Sequence, residues 1–319
     1  MRGVIEKLQT ARRVLVVSHQ DPDGDALGSS LAMGRLLAAR GAEVRLYSAG
    51  PLPPEYRFLP GLELVADQLP PAGWCDLALL LDCHQLKRTG PEAAAYLERV
   101  DKLAVIDHHR GPVNLDGAAW VDPRRAATCE MIARMAAAAG WPLDQETAVC
   151  LFVGIQTDTG SFRYSNCTAE VFRLAGDLVA AGADPWQISQ EVYATSLQRM
   201  RLWGRVVQGL ELLAGGKLAV GQVSLEDLAA TGCAPEDLEN VVEGLRAIRG
   251  VEVALLLRQR EEGGVKISIR SRGALDVSAV AMALGGGGHH NAAGAIVDGD
   301  LDQVRGKVQA MLLELMEAA

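Results

Sequence analysis

The chain has six histidines, His19, His84, His108, His109, His289 and His290, and most of them sit beside acidic or glycine-rich turns. The apolar run Leu103 to Ile106 breaks off into Asp107-His108-His109. Val14 to Ser18 runs into His19-Gln20-Asp21-Pro22-Asp23-Gly24-Asp25, and Leu77 to Leu81 ends in Asp82. A fourth tip follows a helical pattern that starts near Asp144 and ends in Gln156-Thr157-Asp158-Thr159-Gly160. Imidazoles next to carboxylates at such tips suggest metal ligands. Asp23-Gly24-Asp25 is not a calcium loop of the EF-hand kind. Its glycine is fourth rather than sixth from Asp21, and Ala32 stands where the twelfth-position Glu belongs.

If these strands are parallel, His19, Asp23, Asp25, Asp82, Asp107, His108, His109 and Asp158 gather on one edge of a sheet. So many carboxylates repel one another unless cations neutralise them, and two divalent ions would do so. Mixed imidazole and carboxylate donors suit Mn²⁺ better than Mg²⁺, while Zn²⁺, Co²⁺ and Fe²⁺ remain open. Such a pair, roughly 3.5–4 Å apart, activates a water and stabilises a phosphoryl transition state. The run Gly285-Gly286-Gly287-Gly288-His289-His290 lies between a helix and a strand, where backbone N–H groups can converge on a phosphate. The residues therefore point to metal-assisted phosphoester hydrolysis in an interdomain cleft.

The elements that must hold these residues follow from pattern. Strands are expected over Val14–Ser18, Glu43–Tyr47, Leu77–Leu81 and Leu103–Ile106. Helices are expected near Ala26–Arg40, Thr128–Ala139, Asp144–Ile155 and Thr168–Ala181, and the Thr157–Gly160 stretch as a turn that keeps Asp158 out of a helix. This predicts an α/β domain over residues 1–187, with a mostly parallel sheet flanked by helices. A connector helix is expected over 188–214 and a smaller α/β domain over 215–319. The second domain carries strands near Leu218–Val223, Val251–Leu257 and Val265–Arg270, and helices near Glu239–Ile248 and Val277–Leu284. A length of 319 residues and 49% hydrophobic content fit two domains. The net charge of −9 argues against a long polyanion held by many contacts, but not against a small phosphorylated substrate. Six scattered cysteines without a CxxC pair, no apolar run long enough for a membrane helix and no signal-peptide pattern predict a cytoplasmic protein.

The motifs His19-x-x-Pro22-Asp23-x-Asp25, Asp82, Asp107-His108-His109, Thr157-Asp158-Thr159-Gly160 and Gly286-Gly287-Gly288-His289-x-x-Ala292-Ala293-Gly294 stand in this order over nearly the whole chain. In them the sequence resembles the DHH phosphoesterases with a DHH-associated C-terminal domain, most of all the nanoRNase/pAp-phosphatase (NrnA-type) branch. The resemblance implies that His19, Asp23 and Asp82 hold one metal and that Asp25, Asp82, His108 and Asp158 hold the second, with Asp82 bridging. It implies that Asp107 orients a neighbouring ligand and that His109 touches the substrate phosphate and protonates the leaving oxygen. Arg270 and His289 would bind a terminal phosphate, with Gly287 and Gly288 beside them, and Arg88 and Arg163 match family positions that contact substrate. The implied substrates are short RNA or DNA oligonucleotides and 3′-phosphoadenosine 5′-phosphate (pAp), with no membrane partner and a homodimer permitted. Asp21, His84 and His290 fall outside the pattern. His84 reads as a surface or loop histidine, and Cys83 as merely packed.

Other functions remain to be separated. Hydrolysis of cyclic dinucleotides or their linear products is usually accompanied by sensory or membrane regions, which this chain lacks. A single-strand DNA exonuclease of the RecJ kind would need a further nucleic-acid-binding domain and a basic groove. A family II pyrophosphatase would want more basic residues in its phosphate grip. A purely structural metal site would be a closed tetrahedral cage of nitrogen and sulfur ligands rather than at least six oxygen and nitrogen donors.

Overall fold

A computed structural model describes residues 1–238 and 241–318, which fall into two compact units, Met1–Ala194 and Thr195–Ala319. The first unit runs α1 (Arg2–Thr10), β1 (Arg13–Val17), α2 (Gly24–Ala38), β2 (Glu43–Tyr47), β3 (Val65–Ala66), β4 (Leu77–Leu81), α3 (Pro91–Leu97), β5 (Leu103–Asp107), β6 (Gly117–Val121), α4 (Thr128–Ala139), α5 (Gln145–Asp158), α6 (Ala169–Ala180) and α7 (Pro185–Val192). Its six strands lie in the order β3-β2-β1-β4-β5-β6, with every pair parallel. The chain winds outward from β1 to one edge, then returns to β4 on the other side of β1. Strand order therefore reverses between β1 and β4, where an open α/β sheet leaves a crevice outside its carboxyl ends. His19 follows β1 and Asp82 follows β4.

All residues of β4 and β5 are buried, because both faces of the sheet are covered. Val14, Val16, Leu79, Leu81 and Ile106 face a core shared with α1, α2, α4, α5 and α6. Leu15, Val17, Ala78, Leu80 and Val105 face a second core closed by Ala93 and Leu97 of α3. This burial explains why the strands read as continuous apolar runs. The edge strand β6, Gly117-Ala118-Ala119-Trp120-Val121, is only half-buried and has no such run to betray it. Nor do α1 and α3 announce themselves in the sequence.

The second unit contains α8 (Leu197–Gln208), β7 (Glu211–Leu213), β8 (Leu218–Val223), α9 (Leu225–Thr231), α10 (Val241–Ala247), β9 (Val253–Gln259), β10 (Val265–Ser271), α11 (Ser278–Ala283), β11 (Gly287–His289), β12 (Ala292–Val297) and α12 (Leu301–Glu317). Its mixed sheet has the order β11-β12-β10-β9-β8-β7 and separates two apolar cores. Glu239 and Asn240, where a helix was expected to begin, lie outside the described residues. Among the described residues no helix is long and apolar enough to cross a membrane.

Two expectations need correction. The single connector helix over 188–214 is two helices, one in each unit, followed by the short strand β7. Helical periodicity spans the junction, but the Ser196 hydroxyl accepts the Arg199 N–H and starts α8 afresh. The glycine run is likewise not an open loop. Gly287–His289 is a strand paired antiparallel with β12, and a Cβ on Gly286 or Gly288 would lie 2.1 or 2.4 Å from the Gly294 or Ala292 carbonyl oxygen. These glycines allow the close approach of two backbones.

Candidate metal centre

Asp82 leaves β4 with a φ of 59°, in the left-handed region that a residue with a side chain seldom adopts. The kink accompanies a buried carboxylate whose two oxygens face different partners: Oδ2 lies 3.4 Å from His19 Nε2 and Oδ1 lies 3.4 Å from His108 Nε2. Asp23 caps α2, accepting the N–H groups of Asp25 and Ala26, and its Oδ1 lies 3.8 Å from His19 Nε2. Asp25 is pinned at the N-terminus of α4, where it accepts from Thr128 N at 2.6 Å and Cys129 N at 2.9 Å. Only glycine fits at 154 on the facing helix α5, because a Cβ there would lie 2.6 Å from Asp25 Oδ1 and 2.3 Å from Cys129 Sγ. Asp158, expected on a turn, is instead the last residue of α5, and its Oδ2 lies 3.1 Å from His108 Nε2. The Thr157 and Thr159 hydroxyls bond back to the Val153 and Ile155 carbonyls at the end of this helix.

Among the described residues, potential donor atoms lie within 4.8 Å of one another in three groups: His19, Asp23 and Asp82; Asp25, His108 and Asp158; and Asp82, His108 and His109. The first holds the three residues expected around one ion; the second holds three of the four expected around the other, and Asp82 lies beside it with Oδ1 3.4 Å from His108 Nε2. His108 Nε2 is buried without a well-aligned hydrogen bond, although Asp158, Asp82 and Asp25 surround it at 3.1, 3.4 and 3.8 Å. Adjacent ligands of an octahedral ion with bonds of about 2.1 Å are roughly 3 Å apart, so these donors need to move little to share one. The donor set thus fits a pair of hard or borderline divalent ions.

The electrostatics agree. Burial works against the charged forms of His19 and His108, but the surrounding aspartates outweigh it and raise them to about 10 and about 12. Burial, then the charges of Asp82 and Asp158, push Asp25 well above the carboxylate range, and burial lifts Asp158 to about 6. Burial also acts to raise Asp82, but the two histidines hold it low. Protons here do the neutralising that metal ions would otherwise do.

Asp107 stands one step behind this cluster. Its Oδ1 accepts from the His109 backbone N–H at 3.0 Å and pairs with His109 Nδ1 at 2.7 Å, while its Oδ2 pairs with His84 Nδ1. His84 is therefore buried, and its reading as a surface histidine is corrected. No local signal pointed inward, because its partner is 23 residues away.

Residues 13–155 match the DHH family, N-terminal domain, and residues 215–317 match the DHHA1 domain. A bifunctional oligoribonuclease and PAP phosphatase NrnA of Thermus thermophilus is 36% identical, over 100% of this chain and 95% of its own. The chain belongs to the DHH phosphoesterase family. The NrnA protein of Bacillus subtilis, named for the same two activities, is 26% identical over 89% of each chain. An exopolyphosphatase-related protein of Bacteroides fragilis superposes with a TM-score of 0.91 at 26% identity, covering 98% of this chain and 96% of that one. The arginines expected to contact substrate fall outside these three groups in this DHH protein. Arg88 is half-buried, and its carbonyl accepts the Gln20 N–H at 2.7 Å, tying the turn after β4 to the His19 loop. Arg163 is exposed and donates from Nε to Gly160 O at 2.6 Å. Arg270 is in an ion pair, its Nε 2.7 Å from Glu243 Oε1, with Arg246 on the other Glu243 oxygen. Nothing in the sequence singled out Glu243. The His289 side chain lies outside the described residues, while its backbone pairs with Ala292. Asp21 is exposed, and His290 is half-exposed with its Nδ1 3.6 Å from Asp276. Cys83 is fully buried, as expected of a packed thiol.

Proposed function

We propose that this protein hydrolyses short oligonucleotides to 5′-mononucleotides and removes the 3′-phosphate of pAp, using two Mn²⁺ ions in the cytoplasm. The observation that carries the reading is the Asp82 carboxylate, whose two oxygens face two separate histidine–aspartate clusters. The activities for which the Thermus and Bacillus relatives are named support the choice of substrate. His19, Asp23 and Asp82 would hold one ion, and Asp25, Asp82, His108 and Asp158 the other. Ions bound there would supply charge neutralisation and Lewis acidity. In the hydrolysis, a water oxygen bonds to phosphorus and the bond from phosphorus to the leaving oxygen breaks. The water gives up a proton, and His109, acting as the imidazolium, gives its Nε2 proton to the leaving oxygen and keeps the one on Nδ1. Asp107 holds His109 through Nδ1. Arg270 and the β11 backbone at Gly287 and Gly288, with His289, take a phosphate that is not cleaved; Arg88 and Arg163 make further substrate contacts.

The test is a panel of substrates with Mn²⁺: two- to five-nucleotide RNA and DNA, a strand of several tens of nucleotides, pAp and a cyclic dinucleotide. We expect the short oligomers and pAp to turn over fastest. A preference for the long strand, with affinity falling steeply with salt, would replace this reading by the exonuclease one.

A further inference from the structure

His84 belongs to none of the motifs that place this chain in its family, yet the fold buries it to 3% exposure directly behind the reactive edge. Its Nδ1 bonds Oδ2 of Asp107, and Oδ1 of the same carboxylate holds both the backbone N–H and Nδ1 of His109. The Asp107 carboxylate is thus clamped between two imidazoles, one buried and one half-buried. Nε2 of His84 is buried and has no hydrogen-bond partner among the described residues; it lies beneath Gly111, whose φ is +141° and where a Cβ would lie 3.0 Å from that nitrogen. Such an arrangement favours the tautomer with the proton on Nδ1, since a buried unpaired N–H costs more than a buried unpaired lone pair.

We infer that His84 is a positioning residue for the hydrolytic reaction: through Asp107 it fixes the ring plane and tautomer of His109, and so the aim of Nε2 at the leaving oxygen. A carboxylate bonded at one oxygen can rotate about χ2, whereas one held at both oxygens cannot, and His109 turns with it. The inference deepens the proposed function and rests on the role assigned there to His109. It does not concern the metal ligands themselves, because His84 bonds none of them.

The test uses the full chain with His84→Ala, His84→Asn and His84→Gln. Asn places an N–H donor at the same number of bonds from the backbone as imidazole Nδ1, so it can restore the bond to Asp107, and Gln places its donor one bond too far. Turnover is compared on a dinucleotide, whose leaving alkoxide needs a proton, and on a p-nitrophenyl phosphodiester, whose leaving group does not. With His84→Ala and His84→Gln we expect kcat on the dinucleotide to fall roughly ten- to a hundred-fold, the range for removing a group that orients a site residue. KM, Mn²⁺ affinity and aryl ester hydrolysis should stay near wild type, and His84→Asn should recover most of the loss. Independently of activity, imidazole ¹⁵N spectra of the metal-free protein should show His109 with its proton on Nδ1 in wild type and His84→Asn, and a tautomer mixture in the other two. Unchanged kcat in all variants, equal loss on both substrates, rescue by Gln as good as by Asn, or an unaltered His109 tautomer would each overturn the inference. If wild type cleaves neither dinucleotide nor pAp, the proposed function fails, while the spectra still decide whether His84 orders His109.

Discussion

His19 and His108 each have the distal nitrogen turned to carboxylates and the near one tied back to the protein. His19 Nδ1 pairs with Gln20 O at 2.9 Å and His108 Nδ1 with Arg125 O at 3.3 Å, which leaves Nε2 of both for a metal. The raised values at His19 (about 10) and His108 (about 12), with Asp25 pushed well above the carboxylate range, mean that the metal-free site carries protons at neutral pH, whereas Asp158, raised to about 6, gains its own only below that. Metal must displace them, so Mn²⁺ affinity should rise with pH above neutrality and fall further below about 6 as Asp158 protonates. Calorimetric titrations in buffers of different ionisation enthalpy should show net proton release on binding; no release would contradict this charge state. Stability gives the same sign. A histidine raised from its ordinary 6.5 to about 10 stabilises the metal-free fold fully below 6.5, and that contribution is lost as pH climbs through 10. The Tm of the metal-free protein should therefore decline over this window, while that of the Mn²⁺-loaded protein should decline less.

At the scale of elements, the decisive contact is α2 against α5 at Gly154, where Asp25 and Cys129 fill the space a side chain would need. Gly154→Ala should cost about 1–3 kcal/mol of stability from overpacking. It should also weaken Mn²⁺ binding, because the Asp25 carboxylate is the nearest atom able to yield after the thiol. Denaturant melts paired with metal titration check both, and a loss of stability with metal affinity intact would show that Asp25 is no ligand. The central strands were legible because burial on both faces requires unbroken runs such as Leu77–Leu81. Their acidic and histidine tips were legible because packing does not require those residues. The β11 pairing was not, since glycines give the same sequence whether they free a loop or admit a neighbouring backbone. Nor was the break between α7 and α8, where one capping serine interrupts a continuous helical period. The Asp107–His84 and Arg270–Glu243 pairs, 23 and 27 residues apart, arise only from tertiary packing.

For the whole molecule, the three groups of potential metal donors found among the described residues all lie in the first unit. We assign the second unit, through Arg270, to the recognition of a substrate end. Glu243 already orients the Arg270 fork, so losing the arginine should cost about 1.5–3 kcal/mol of substrate binding. Arg270→Ala should then raise KM for dinucleotides and pAp roughly ten- to a hundred-fold while sparing an aryl phosphodiester that lacks the end phosphate. Equal loss on both would assign Arg270 to the fold instead. The central claim is that one carboxylate, Asp82, joins two metal sites into a single hydrolytic centre. Its most direct measurement is dinucleotide hydrolysis while Mn²⁺ is titrated into metal-stripped wild type and Asp82→Asn, an exchange that keeps the side-chain shape and its tolerance of a positive φ. The account predicts that wild-type activity is absent without metal and complete at two ions per chain, and that Asp82→Asn stays folded yet turns over at least about a thousandfold more slowly, well beyond the change expected from a residue outside the ligand set. Full activity at one ion per chain, or near-wild-type turnover by Asp82→Asn, would contradict it.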